Sequence, residues 1–220
     1  MITETDENYL KETYNLQREH DRVTTSMLAE RFGSSPATVT GMLKKLAERE
    51  WVSYEPYKGV TLTDAGRQIA LEVIRHHRLI ETFLNKTLGI PWDRVHEEAE
   101  RLEHVLSEYL EDRIDEILGH PLIDPHGSPI PARGGDLNEE KQIRLVDVPE
   151  GSSVQIVEVS DRDADVLAHL DRLGIQLGTR LSVISVEPID GLITIELNHR
   201  RFVIGRTSAR HIFVKIQNRK

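Results

Sequence analysis

TTSMLAERFGSSPATVTGMLKKLAEREWVSYEPYKGVTL, residues 24–62, decides the fold. Thr24, Thr25 and Ser26 supply hydroxyls that cap a short helix over 27–32, and Gly33-Ser34-Ser35 then turns the chain. Pro36 fits a first helical position, and Val39, Met42, Leu43 and Leu46 form the apolar stripe of a second helix running to residue 50. Residues 51–55 and 59–62 read as two short strands around Pro56-Tyr57-Lys58-Gly59. Helix, turn, helix and hairpin in that order predict a winged helix-turn-helix. Its candidate DNA contacts are Ser34, Ser35, Pro36, Thr38 and Thr40 at the start of the second helix. Short hydroxyls can approach bases closely there, and the helix dipole favours phosphate. Lys44 and Lys45 further along, with Tyr57 and Lys58 at the wing tip, suit backbone phosphates.

Outward from this stretch, residues 8–18 read as a helix before it, and 65–88 and 94–118 as two long helices after it, separated at Gly89-Ile90-Pro91. Five of the nine prolines and the Gly134-Gly135 pair then mark residues 120–153 as a tether. Beyond it, 154–159, 180–186, 192–197 and 211–216 read as strands, with a helix over 164–173, which predicts a small β-barrel. The expected class is α+β. Residues 1–74 form the winged domain, 75–140 a helical domain, 141–152 a linker and 153–220 the barrel.

The 220 residues carry a net charge of −9 and a mean hydropathy of −0.41, with no Cys. Residues 76–150 hold 17 acids against 8 bases and six of the ten His, whereas 1–75 nets −2 and 151–220 nets +2. No apolar run reaches the roughly 18–20 residues of a membrane helix. The first dozen residues are acidic and polar rather than a secretion signal. A cytoplasmic protein with no membrane partner is expected. Thiolate zinc sites and disulfides are excluded by composition.

The acidic block has order within it. His77 and Glu81 are spaced i, i+4, while His96, Glu100, Glu103 and His104 fall at i, i+4, i+7 and i+8. Antiparallel packing of the two helices would face three imidazoles with three carboxylates, a set suited to Mn2+, Fe2+ or Zn2+. The harder Mn2+ is favoured by the absence of sulfur. A zinc hydrolase is the enzymatic alternative, but its motif needs two His at i, i+4 with Glu between, and HEEAE over 96–100 does not meet it. No phosphate loop or nucleophile elbow is present either, so no enzyme and no substrate other than a metal ion is expected.

The winged stretch together with HHRLIE (76–81), VHEEAERLEH (95–104) and DPHGSPIP (124–131) resembles the diphtheria toxin repressor family of metal-dependent regulators, specifically its manganese transport regulator branch. The resemblance covers nearly the whole chain. It implies an SH3-like C-terminal domain, a helical dimerisation and metal-binding domain, and a homodimer. Such a dimer represses metal-uptake genes by binding palindromic double-stranded operators when metal is plentiful. It also implies two ions per subunit, Mn2+ with Fe2+ as the alternative. One site matches Glu100, Glu103 and His104, completed near the N-terminus, where Asn8 stands in place of an Asp or Met. The other matches His77, Glu81 and His96, with Asp163 favoured over Asp161 and Asp165 as a fourth ligand. Glu100, where iron-sensing members carry Cys, points to manganese. Lys11 stands where some members have a ligating Glu, which counts against a closely spaced ion pair. The expected switch is repulsion among carboxylates around the first helix, relieved by metal.

Overall fold

The computed structural model describes residues 2–135, 137 and 142–217. Among them, no helix is long and apolar enough to cross a membrane. The chain divides into two compact units that interleave along the sequence. The first takes residues 1–80, 100–117 and 130–138; the second takes 81–99, 118–129 and 139–220. Consecutive stretches such as the expected 75–140 helical domain are therefore shared between the two, and its residues 136 and 138–140 lie outside those described.

The first unit opens with α1 (Glu4–Glu19), where Thr3 and Asp6 form a reciprocal capping box. Then come α2 (Thr25–Arg31) under a Thr24 cap and α3 (Pro36–Glu48) under a Ser35 cap. The antiparallel hairpin β1 (Val52–Glu55) and β2 (Gly59–Leu62) is the wing. Leu10, Leu28, Val39, Leu43, Leu46, Val60 and Leu71 pack into one core, each fully or almost fully buried. α4 (Asp64–Leu88), about 37 Å long at 1.5 Å per residue, starts against the wing. A Cβ on Gly66 would fall 1.9 Å from the Trp51 carbonyl oxygen, so glycine there permits the approach.

The single helix expected over 94–118 is two: α5 (Val95–Leu102) and α6 (Glu108–Leu118). Ser107 explains the restart. Its hydroxyl accepts from Leu110 N–H at 3.3 Å and its carbonyl from Glu111 N–H at 2.9 Å. The Glu103 carbonyl lies 3.2 Å from His76 Nδ1.

The second unit is built on an antiparallel sheet of order β3-β8-β4-β5-β6-β7. Its strands are β3 (Ile143–Arg144), β4 (Ser153–Val159), β5 (Arg180–Val186), β6 (Ile193–Leu197), β7 (Arg200–Ile204) and β8 (Ile212–Ile216). Bulges between Ile156 and Glu158 and between Val183 and Ser185 bend it. Between β4 and β5 lies α7 (Ala164–Arg172), and before β8 the short α8 (Arg206–Arg210). The expected linker over 141–152 differs: Ile143 and Arg144 pair with β8, and Leu145 and Val148 are buried in the sheet's core; Lys141 lies outside the described residues. β7 was not expected. Asn198 and His199, at φ 52° and 63°, form the two-residue turn that joins it to β6.

The tether expected from residue 120 onward is, over 124–128, an ordered turn. Asp124 Oδ1 accepts from His126 N–H at 2.8 Å and Ser128 N–H at 3.0 Å. Val159 N–H donates to the His126 carbonyl at 2.9 Å. Gly127, at φ 91°, passes so close to β4 that a Cβ would lie 2.1 Å from the Val157 carbonyl oxygen.

Candidate metal centres and nucleic-acid interface

In the first unit, α1 presents Glu7, Asn8 and Lys11 towards Glu100 of α5 and the turn that follows it, which holds Glu103 and His104. His104 Nδ1 lies 2.6 Å from Glu7 Oε2, the contact that orients a ligating imidazole by its far nitrogen. In the tautomer that donates from Nδ1 to Glu7, His104 Nε2 carries the lone pair. It faces Asn8 Oδ1 at 3.0 Å and Glu103 Oε1 at 3.3 Å. Imidazole nitrogen, amide oxygen and carboxylate oxygen thus converge on one point. Donors about 2.0–2.2 Å from one ion stand roughly 3.0–3.4 Å apart, so these spacings fit a coordination shell. A cleft of about 380 Å³, lined in part by Glu7, His76, Glu103 and His104, leads there from solvent.

Lys11 occupies the same cluster. Its Nζ lies 2.7 Å from Glu100 Oε1 and 2.5 Å from Glu103 Oε1, and the residue is 5% exposed. The other Glu103 oxygen lies 2.5 Å from His77 Nδ1. Burial alone would lower the Lys11 pKa, but the two carboxylates outweigh it and hold it above the ordinary value. Burial alone would raise Glu103; His77 and Lys11 reverse that and hold it below the usual carboxylate range. The expected bare repulsion among these carboxylates is thus already cancelled in part by an ammonium.

In the second unit, His96 Nδ1 lies 3.4 Å from Glu81 Oε1 and 3.4 Å from Asp161 Oδ2. Asp161, not Asp163, is the carboxylate beside His96. Asp163 caps α7, accepting from the N–H groups of Asp165 at 3.0 Å and Val166 at 3.1 Å. Burial alone would lower the His96 pKa, but the hydrogen bonds of Asp161 and Glu81 prevail and raise it to about 10. The stripe expected over 96–104 is consequently split: His96 serves the second unit, while Glu100, Glu103 and His104 serve the first. His77 also belongs to the first unit, one turn before Glu81 on α4.

Sequence reasoning missed the support behind Glu81. His126 is fully buried, with Nε2 2.8 Å from the Trp92 carbonyl oxygen and Nδ1 3.4 Å from Glu81 Oε2. Burial alone would lower its pKa; Glu81 chiefly, then Asp124, raises it to about 9. The signal was present in DPHG, a buried-turn sequence carrying an imidazole. Glu7, one residue before Asn8, stands behind His104.

Ser35, Pro36, Thr38, Lys44 and Lys45 are exposed on α3, as are Tyr57 and Lys58 on the wing. Ser35 Oγ accepts from Thr38 N–H at 3.1 Å and shares a 2.9 Å bond with Thr38 Oγ1. Thr40 Oγ1 donates to the Pro36 carbonyl at 2.8 Å. Lys58 pairs with Glu55 at 2.6 Å across exposed side chains, a pairing weak enough for phosphate to replace. Ser34 departs from expectation: its Oγ is buried, turned away from the exposed face.

Family models match three consecutive parts of the chain. An iron-dependent repressor N-terminal DNA-binding domain matches residues 1–60, the metal-binding and dimerisation domain of the same repressors matches 63–132, and a FeoA domain matches 143–216. The iron-dependent repressor IdeR of Mycobacterium leprae is 31% identical over 97% of this chain and 98% of its own. A solved manganese-dependent transcriptional repressor in complex with manganese is 38% identical, covering 96% of this chain and 100% of that one at a TM-score of 0.91. The structure of ScaR with bound Zn2+ is 33% identical, covering 96% and 98% at a TM-score of 0.84.

Proposed function

Since the chain belongs to the iron-dependent repressor family, and is therefore a metal-dependent transcriptional repressor rather than an enzyme, we propose that Mn2+ is its activating ion and that two ions load each subunit. It binds DNA through its N-terminal domain and dimerises through the helical segment. Exposed Val105, Tyr109 and Ile117 on and beside α6 supply apolar surface for that contact. The assignment of residues to sites is part of the proposal, as is a cytoplasmic location.

Asn8, Glu100, Glu103 and His104 would hold the first ion, and Glu81, His96 and Asp161 the second. The observation that carries this reading is the donor chemistry: carboxylate, imidazole and amide oxygen at ligand-to-ligand spacing, with no sulfur. Such a set suits a hard divalent ion. The solved relative with manganese supports the choice. Iron is the second reading, favoured by the curated iron-dependent relatives. The ion supplies charge neutralisation and cross-links α1 to the α5 turn, and it does no chemistry. Metal shifts the population towards a dimer whose two α3 helices sit about one DNA turn apart, roughly 34 Å. By linkage, operator DNA tightens metal binding by the same factor.

The test is selection of duplexes from a random library by the full chain with Mn2+, followed by binding titrations with Mn2+, Fe2+ and chelator. A palindromic site bound only with metal, and at lower Mn2+ than Fe2+, is expected. Equal binding in chelator would overturn metal dependence, and tighter activation by Fe2+ would replace manganese with iron.

A further inference from the structure

We propose that the Lys11 ammonium is a resident cation of the first centre, and that it sets the metal concentration at which that centre loads. The inference rests on the reading of Glu100, Glu103 and His104 as ligands and adds to it what controls their affinity.

Burying an ammonium is costly unless it is paired. Lys11 is buried because α1 delivers Nζ between Glu100 Oε1 and Glu103 Oε1, at 2.7 and 2.5 Å. Glu103 Oε1 is also the oxygen 3.3 Å from His104 Nε2, so the atom facing the ligating imidazole already carries a cation. The second Glu103 oxygen is engaged by His77 at 2.5 Å. An arriving divalent ion must share or take over Glu103 Oε1 and meets a positive charge on the far side of its own ligands.

Charge bookkeeping gives the sign. Two carboxylates and one ammonium present a net of −1 to an ion of +2, and Asn8 contributes an oxygen without charge. Replacing Lys11 by a neutral side chain presents −2. The ammonium also makes without metal the link from α1 to the α5 turn that an ion would make with it. It therefore lowers the loading affinity and stabilises the metal-free arrangement at once. Lys11 acts through Glu100 and Glu103 and is a positioning residue, not a ligand.

The experiment compares full-length wild type, Lys11→Gln, Lys11→Met and Lys11→Arg by Mn2+ titration calorimetry in chelator-buffered solution, with Tm measured with and without metal. The uncharged variants should load this centre at Mn2+ concentrations at least tenfold lower than wild type. Their metal-free Tm should fall and their rise in Tm on adding Mn2+ should exceed that of wild type. Lys11→Arg keeps the charge and should load near the wild-type concentration, which a purely space-filling role would not produce. If the uncharged variants unfold without metal, refolding by Mn2+ supports the proposal, and failure of Mn2+ to refold them overturns it. Loading of Lys11→Gln and Lys11→Met at or above the wild-type concentration also overturns it. Failure of the underlying site reading is separable: wild type and Glu103→Gln would then bind the same number of ions with the same affinity.

Discussion

In the first unit Glu103 is held by His77 and also by Lys11, an ammonium fixed on α1; in the second, Glu81 stands beside two imidazoles, His96 and His126. The two solutions differ in what happens when a metal ion arrives. On the proposed ligand sets, an ion at Glu81 would displace the proton that Asp161 and Glu81 hold on His96, so the second centre exchanges one cation for another in place. Lys11 is not among those ligands, and Glu100 and Glu103 hold its proton on. On the proposed assignment the first centre loads beside its internal cation, which makes it the centre whose affinity depends most on neighbouring charge. Two clusters of similar donors can therefore serve as threshold and support.

Several substitutions separate them. Glu103→Ala removes a shared oxygen of the first centre and leaves Lys11 buried with one partner. Metal-dependent operator affinity should fall at least a hundredfold in anisotropy titrations, and a wild-type Mn2+ response would remove Glu103 from the ligand set. Asp161→Ala should cost the second centre a ligand, weakening the metal response on the order of tenfold, the lower end of what loss of a coordinating or orienting group costs. A larger loss than for Glu103→Ala would reverse the ranking of the two centres.

The second cluster should show an imidazole signature. With metal removed by chelator, His96 and His126 have folded pKa values of about 10 and about 9, above the ordinary 6.5. Groups raised on folding contribute stability that is complete below the unfolded value and is lost as pH climbs through the folded one. Metal-free Tm should decline from about pH 6.5 towards pH 9–10, less so in His126→Phe. A Tm flat across that range would show that these imidazoles are not the neutralising groups. Asp163→Ala is the matched control, since it loses a helix cap worth about 1 kcal/mol and should leave metal binding unchanged. Lys44→Ala, outside both clusters, should weaken binding to all duplexes alike and reduce the salt slope by about one.

Much of this was legible in the sequence for definite reasons. The winged domain announces itself because Thr24 and Pro36 mark helix starts and Val39, Met42, Leu43 and Leu46 keep the helical period. The metal residues were legible as a spacing on helices, but the spacing assumed one helix over 94–118. Ser107 restarts the helix, and the boundary between the units falls inside α5, between Ala99 and Glu100, which puts His96 in one unit and Glu103 in the other. Asp163 is the residue immediately before Ala164, a cap position, and the capping rule that reads Thr24, Thr25 and Ser26 applies equally there. Lys11 was noticed only as the absence of a ligand, because a sequence shows which residue replaces another but not that its ammonium reaches the same oxygens. Residues 143–148 read as linker because a two-residue strand has too short a period to detect.

The most direct measurement is an anomalous difference map at the manganese edge from crystals of the full chain grown with Mn2+. The account predicts two peaks per chain, one within ligand distance of Glu103 and His104, the other of His96 and Asp161. A map with no peak beside Glu103, from crystals of protein that binds its operator only with Mn2+, would contradict it.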